Sequence, residues 1–330
     1  MQQLLAGLAI AAPLALGIAV TPTAPHGERV LSFDDAAIVE ASALVVDDGL
    51  FLTTNDSGDS GRVFAVDPAS GSTVGLAHWS EDPTDVEALA PARDGGVWVG
   101  DIGDNTASRD SVEVTRVPVV ASDTTVEGQS YELDYPDGPH NAETLLSDPR
   151  TGRLYVATKG VFGGTLYAAP RTLSAGASNR LRPVGGVLAI ATDGAFFPDG
   201  RHVVLRDYTR AVVYTFPDLH EVASFRLPEQ EQGEGIAVAR DGAVYVSSEG
   251  QRQPVLRVPL PADVRRALAQ APSAAPSSDA ASPLGSSPDA SAAKDHRYDP
   301  RPAWPWFLTG GLALALLVAV AKVFRRRPPG

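Results

Sequence analysis

Short alternations of apolar and polar residues, interrupted at close intervals by Asp-Gly, Gly-Gly and proline, run from Arg29 to Pro259. Such a texture predicts many short strands joined by tight turns. One unit recurs within it. Glu40-Ala-Ser-Ala-Leu-Val-Val-Asp-Asp-Gly-Leu-Phe51, Glu87-Ala-Leu-Ala-Pro-Ala-Arg-Asp-Gly-Gly-Val-Trp98 and Glu234-Gly-Ile-Ala-Val-Ala-Arg-Asp-Gly-Ala-Val-Tyr245 share an acid, a small or apolar run, an Asp-Gly turn and an aromatic. The stretch from Asp193 to Val204 repeats the unit with valine in the aromatic place, and Glu143 to Tyr155 repeats it with one extra residue. The acids are spaced 47, 56, 50 and 41 residues apart, which is about the length of a four-stranded propeller blade.

A third strand is predicted after each hairpin, at 62–68, 114–118, 165–170, 211–217 and 255–259, and it commonly ends at proline. A fourth follows in four copies, at 73–79, 129–135, 184–190 and 221–227. The last copy lacks one, and Arg29-Val-Leu-Ser-Phe33, ahead of the first copy, is free to supply it. The expected fold is therefore all-β: a single β-propeller of five four-stranded blades, whose N-terminal strand closes the last blade and leaves no open edge. A sixth blade would need a further copy.

The flanks read differently. Leu4 to Val20 is a run of 17 apolar or small residues, so 1–25 is expected to be a secretory signal peptide or a retained N-terminal anchor. Residues 261–303 are rich in proline, alanine and serine and poor in large apolar groups, the composition of a disordered stalk; 265–268 adds one helical turn at its start. Residues 304–324 are expected to form a transmembrane helix, with Trp304 and Trp306 at the interface and Lys322 snorkelling. Arg325-Arg326-Arg327 in the tail, 325–330, places that end in the cytoplasm. The expected molecule is a single-pass plasma-membrane protein whose propeller, 26–260, lies outside the cytoplasm.

Composition narrows the chemistry. There are no cysteines, which removes disulfides, thiolate metal sites and cysteine nucleophiles. Of 40 acids, 35 fall within 26–260, against only 18 of the 27 Lys and Arg, giving that body a net charge of −17. A nucleic-acid partner is excluded on charge. His-Glu-x-x-His, Walker and Gly-x-Ser-x-Gly motifs do not occur. Gly58-Asp59-Ser60-Gly61 mimics a serine-protease nucleophile loop, but only His26 precedes it and the blade pattern belongs to another fold.

The first strand of each blade lines a propeller's central channel, so the five in-phase acids, Glu40, Glu87, Glu143, Asp193 and Glu234, are expected to form an inner ring on one face. Hairpin register places Asn55/Asp56, Asp101, Thr158, Arg206 and Ser248 opposite them. Asp104, Asn105, Lys159, Tyr208 and Glu249 then complete a polar ligand face. At ~6 Å and an effective dielectric of ~20, neighbouring carboxylates repel by roughly 3 kcal/mol. Three outcomes relieve this: raised pKa values, neutralisation by Lys159 and Arg206, or a bound cation. Oxygen donors without thiolate favour Ca²⁺ as the cofactor. The Asx- and glycine-rich loops at 55–61 and 101–105 serve turns equally well. His140, Lys159, Arg206 and Arg109 are the candidates for catalysis, His140 as general base; a lone loop histidine is more often simply solvated.

Asn55-Asp-Ser-Gly58, Asp85-Val-Glu87, Gly100-Asp-Ile-Gly-Asp-Asn105, Thr158-Lys159 and Gln232-Gly-Glu-Gly235 with Ser248-Glu249 resemble strings in a largely uncharacterised family of exported bacterial β-propellers, labelled NHL-like or phytase-esterase-like. The resemblance spans about residues 30–260. More distantly, one axial acid per blade is similar to calcium-dependent apyrase and phytase propellers, a likeness of fold alone. It implies calcium. Three functions follow as expectations: a tethered module binding a cation together with a small anionic ligand or cell-surface component; a Ca²⁺-dependent phosphoesterase or esterase, with Lys159, Arg206 and Arg109 steering the anion; or a purely structural, adhesive propeller.

Overall fold

The computed structural model describes residues 26–56, 58–79, 82–118 and 121–270. The expected signal or anchor at 1–25, the stalk beyond Gln270, the membrane span and the basic tail lie outside these residues. Among the described residues no helix is long and apolar enough to cross a membrane.

Among the described residues, twenty-two strands assemble in five sheets whose main strands are antiparallel and mostly consecutive along the chain. Strand β1 (Glu28–Ser32) stands alone at the start. The first blade holds β2 (Val45–Asp47), β3 (Leu50–Thr53), β4 (Arg62–Val66) and β5 (Thr73–Trp79). The second holds β6 (Val86–Pro91), β7 (Val97–Asp101) and β8 (Val112–Val117), then β9 (Thr124–Val126) leaves it before β10 (Gln129–Asp134) completes it. The third holds β11 (Ala142–Ser147), β12 (Leu154–Thr158) and β13 (Gly164–Ala168), with β14 (Asn179–Arg180) leaving before β15 (Arg182–Val187). The fourth is β16 (Asp193–Phe196), β17 (His202–Arg206), β18 (Arg210–Thr215) and β19 (Glu221–Arg226). The fifth is β20 (Gly233–Val238), β21 (Val244–Ser248) and β22 (Pro254–Val258). Its fourth strand is β1, which pairs antiparallel with β22. Five blades and the N-terminal closure are therefore present as the repeats predict.

The turns explain the recurring Asp-Gly. Between β2 and β3, Asp48 and Gly49 both take positive φ (46° and 81°), the geometry that a tight hairpin loop requires and that Asp and Gly tolerate best. Inner strands β2, β6, β11, β16 and β20 pack side by side in order and return to β2. Apolar side chains then fill five separate cores, one between each pair of neighbouring blades. The aromatics of four repeats, and Val204 in the remaining one, lie in these layers; Phe51 and Tyr245 meet edge-on across the first and fifth blades, 5.1 Å between centroids.

Three features depart from the sequence reading. The short strand β9 pairs parallel with β5, and β14 pairs parallel with β10, so the second and third blades each add an edge strand to the blade before. Both segments are too short to show alternation. Residues Ala262–Ala269 form helix α1, whose Val264 is buried in the core between the fourth and fifth blades. The folded body thus runs through Gln270 rather than stopping at 260.

Candidate functional site: a carboxylate-lined channel mouth

The acids open the inner strands where register breaks. The β6–β7 ladder shifts between Val86 and Ala88, β11–β12 between Ala142 and Thr144, and β20–β21 between Gly233 and Ile236. Each interruption falls at a glutamate. A bulge inserts one unpaired residue and re-aims its side chain, and Glu87, Glu143 and Glu234 are all buried at this mouth. They feel one another. Burial first, then the charges of Glu143, Asp56 and Asp85, push the Glu87 carboxyl up to about 10. Burial and then Glu143 raise Glu234 to about 8. Glu143 reaches only about 7 because burial is opposed by a close ion pair with Lys159. Lys159 Nζ also donates to the Tyr208 hydroxyl at 2.8 Å and lies 5.1 Å from that ring's centroid. It is held charged, its pKa raised by both partners against burial. Glu249, raised by burial and by Asp56 and Glu40, sits beside them. Glu40 is exposed at the edge.

Asp193 does not join this group. The β16–β17 ladder runs without a break, Asp193 opposite Arg206. Unbulged, its fully buried side chain accepts from Gly194 N at 2.7 Å and from Ile236 N, in the next blade, at 2.8 Å. The Leu44 backbone is a further donor. One carboxylate therefore ties the inner strands of the fourth, fifth and first blades together. Burial pushes its pKa well up, while those N–H groups and Arg206 act against the rise. Gly194 is obligatory beside it, because a Cβ there would lie 2.4 Å from Leu205.

Arg206 is likewise absent from the exposed face. It is fully enclosed, donating to Asp207 O, Gln230 Oε1, Gly235 O, Ser247 O and Tyr208 O at 3.0–3.4 Å. Burial lowers its pKa to about 10, opposed first by Glu234. A Cβ on Gly233 would meet its guanidinium at 2.1 Å, which gives the Gln232-Gly-Glu-Gly235 string a physical reason.

The tightest carboxylate grouping is Asp56, Asp85 and Glu87, one oxygen of each within 4.8 Å of the others. Two blades build it. Asp101 accepts from Thr84 N at 2.7 Å and Asp85 N at 2.9 Å, fixing the loop ahead of Glu87. Arg109 clamps Asp101 at 2.6 Å and also bonds Gly103 O at 2.8 Å. Gly103 is the cradle: a Cβ there would stand 2.3 Å from Asp85 Oδ2. Asp104 caps the following turn through Ser108 N and Arg109 N. Asn141 crosses to it from the third blade, accepting from Asp104 N and donating to Asn105. The 101–105 loop is thus scaffolding for Asp85.

Other candidates have structural partners. Asn55 accepts from Val39 N and Glu40 N and donates to Ala37 O and Asp59, shaping the approach to Glu40. Thr158 accepts from Thr165 N, and Ser248 exchanges hydrogen bonds with Gln232. His140 sits against Asp137 and Tyr167, 3.1 Å from each, its ring packed on Tyr135. Sequence reasoning took Asp85 only as part of a family string; its position two residues before Glu87, on the same side of an extended chain, is the signal that identifies it.

No family model matches the chain, and no curated protein matches it. Solved structures with some likeness include two glucose dehydrogenase chains. One has a TM-score of 0.43 and 14% identity, the other 0.42 and 13%; each alignment covers 72% of this chain and 100% of that one. Kuenenia stuttgartiensis hydrazine synthase gives a TM-score of 0.38 at 16% identity, covering 64% of this chain and 56% of that one. The five-bladed fold rests on the strand pairing itself; the NHL-like or phytase-like family read from short strings finds no matching model.

Proposed function

We propose that this chain is a membrane-tethered, extracytoplasmic propeller that binds a divalent cation, calcium, at Asp56, Asp85 and Glu87, and presents the surrounding face to a ligand or cell-surface partner. One observation carries the reading: three carboxylates from two blades converge within 4.8 Å around a buried glutamate. Hard oxygen donors and loose geometry suit calcium, which supplies positive charge where Glu87 otherwise takes a proton. The nearest lysine is committed to Glu143. Exposed Val161 and Phe162 on the loop after Lys159 give a partner an apolar foothold beside the charged mouth. The tether rests on the sequence of 261–330.

No observation favours the hydrolase. Lys159, Arg206 and Arg109, its anion-steering groups, all hold internal partners. Thermal unfolding of the full chain, stripped with EDTA and titrated with Ca²⁺, tests the cation. A site filled at ~100 times its Kd adds about 2.7 kcal/mol. Glu87→Gln is expected to remove that gain, and Glu221→Gln, on outer strand β19, to keep it. An unchanged calcium response in Glu87→Gln, or none in the wild type, defeats the proposal.

A further inference from the structure

The channel has a second mouth, on the face away from the carboxylates, and its chemistry is different. The C-terminal halves of all five inner strands surround a funnel of about 280 Å³ there. Val46, Pro91, Phe196, Pro198 and Val238 contribute its apolar wall. Its floor includes Leu44 and Gly194, two of the residues that Asp193 ties together, so the Asp193 knot adjoins this end of the channel. Three charged side chains reach the funnel: Asp47, Arg93 and Arg240. Asp47 is bonded to Arg240 at 2.8 Å. Arg93 is exposed and has no hydrogen bond or ion pair among the described residues. A body carrying a net −17 thus sets one uncommitted guanidinium beside an apolar hollow.

We propose that this funnel is a binding site for a small amphipathic monoanion, a carboxylate borne on a short alkyl or aryl group. The apolar part lies against Pro91, Phe196 and Val238, and the carboxylate meets Arg93, whose planar fork suits it. The volume lies just below the range of drug-sized sites (~300–1,000 Å³), which restricts the ligand to a compact one. No residue of the carboxylate mouth takes part, so this site stands or falls independently of calcium.

Isothermal titration of the full chain in lipid nanodiscs, with empty discs subtracted, tests it using hexanoate, octanoate, 1-octanol and octylammonium. One saturable octanoate site is expected, about fifteenfold tighter than for hexanoate, from roughly fourfold per buried methylene. Octanol should bind about tenfold more weakly, and octylammonium not at all. Arg93→Gln, a surface change, should bring octanoate down to the level of octanol and leave octanol unchanged. Val238→Trp, at a half-buried wall position, should abolish both. Octanoate heat no greater than that of empty discs overturns the proposal. So does octanol or octylammonium matching octanoate, or an affinity untouched by Arg93→Gln.

Discussion

Glu234 offers a direct test of how dry the carboxylate mouth is. It is 5% exposed at the start of β20, and its one side-chain hydrogen bond comes from Gln232 Nε2 at 3.3 Å. Burial, then the charge of Glu143, raises its pKa to about 8, with Lys159 opposing. In an unfolded chain a glutamate titrates near ~4.3. Between those values the folded protein keeps a proton that the unfolded chain has released. The associated stability is therefore fully present below the unfolded value and is lost as pH rises toward 8. The slope approaches about 1.4 kcal/mol per pH unit, which amounts to roughly 3 to 4 kcal/mol between pH 5 and pH 8. Against a typical total of ~5–15 kcal/mol this is large.

Glu234→Gln keeps the shape and removes the titration. Urea unfolding of wild type and variant in EDTA, at pH 5, 6.5 and 8, isolates it, because every other titrating group is common to both. With glutamine standing in for the protonated acid, the variant should be more stable by about 1 kcal/mol at pH 5 and by about 4 to 5 kcal/mol at pH 8. A difference that is constant with pH, or that widens toward acid, would refute the enclosed, proton-retaining placement of Glu234.

Other changes probe the remaining joints. Gly103→Ala sets a methyl 2.3 Å from Asp85 Oδ2; calorimetric titration should show the calcium affinity falling tenfold or more while far-ultraviolet dichroism stays unchanged. Asp193→Asn leaves one inner-strand N–H facing an amide donor, an expected loss of about 1–3 kcal/mol in urea unfolding; its calcium response should persist, since Asp193 lies outside the cation cluster. Leu31→Ala, in the strand that closes the ring, removes a side chain that is 5% exposed and should cost about 2–5 kcal/mol. A smaller loss would mean that β1 contributes little to closure.

Much of the fold was legible because a blade is a local object. Each hairpin carries its own turn, and the counts from Glu87 to Gly100/Asp101 and from Asp193 to Arg206 depend only on strand length; Asp193 does pair with Arg206, while Glu87 falls as the bulged residue between the Val86–Asp101 and Ala88–Gly100 pairs. The strands β9 and β14 escaped because their partners lie in another blade and two or three residues show no period. Lys159 follows the second strand of its blade and Arg206 ends the second strand of its own, and one reaches a carboxylate at the mouth while the other is swallowed whole. Glycines make room for the buried one: Gly233 and Gly235 open the fifth blade's inner strand to admit the Arg206 guanidinium and the Leu44 side chain.

The same contrast governs the acids, and it limits what repeat phase can say about chemistry. All five occupy one position in the repeat, but a side chain's direction depends on whether the ladder is bulged there, and a slip of one residue reverses it. Where the strand bulges, at Glu87, Glu143 and Glu234, the carboxylates crowd together at the mouth and their pKa values rise in concert. Where it does not, at Asp193, the carboxylate is spent on backbone N–H groups of three inner strands and becomes part of the framework. The group best arranged for a cation accordingly recruits Asp56 and Asp85 from loops rather than the whole ring. Fivefold phase assembles the channel; the local departures from it decide which acids gather at its mouth.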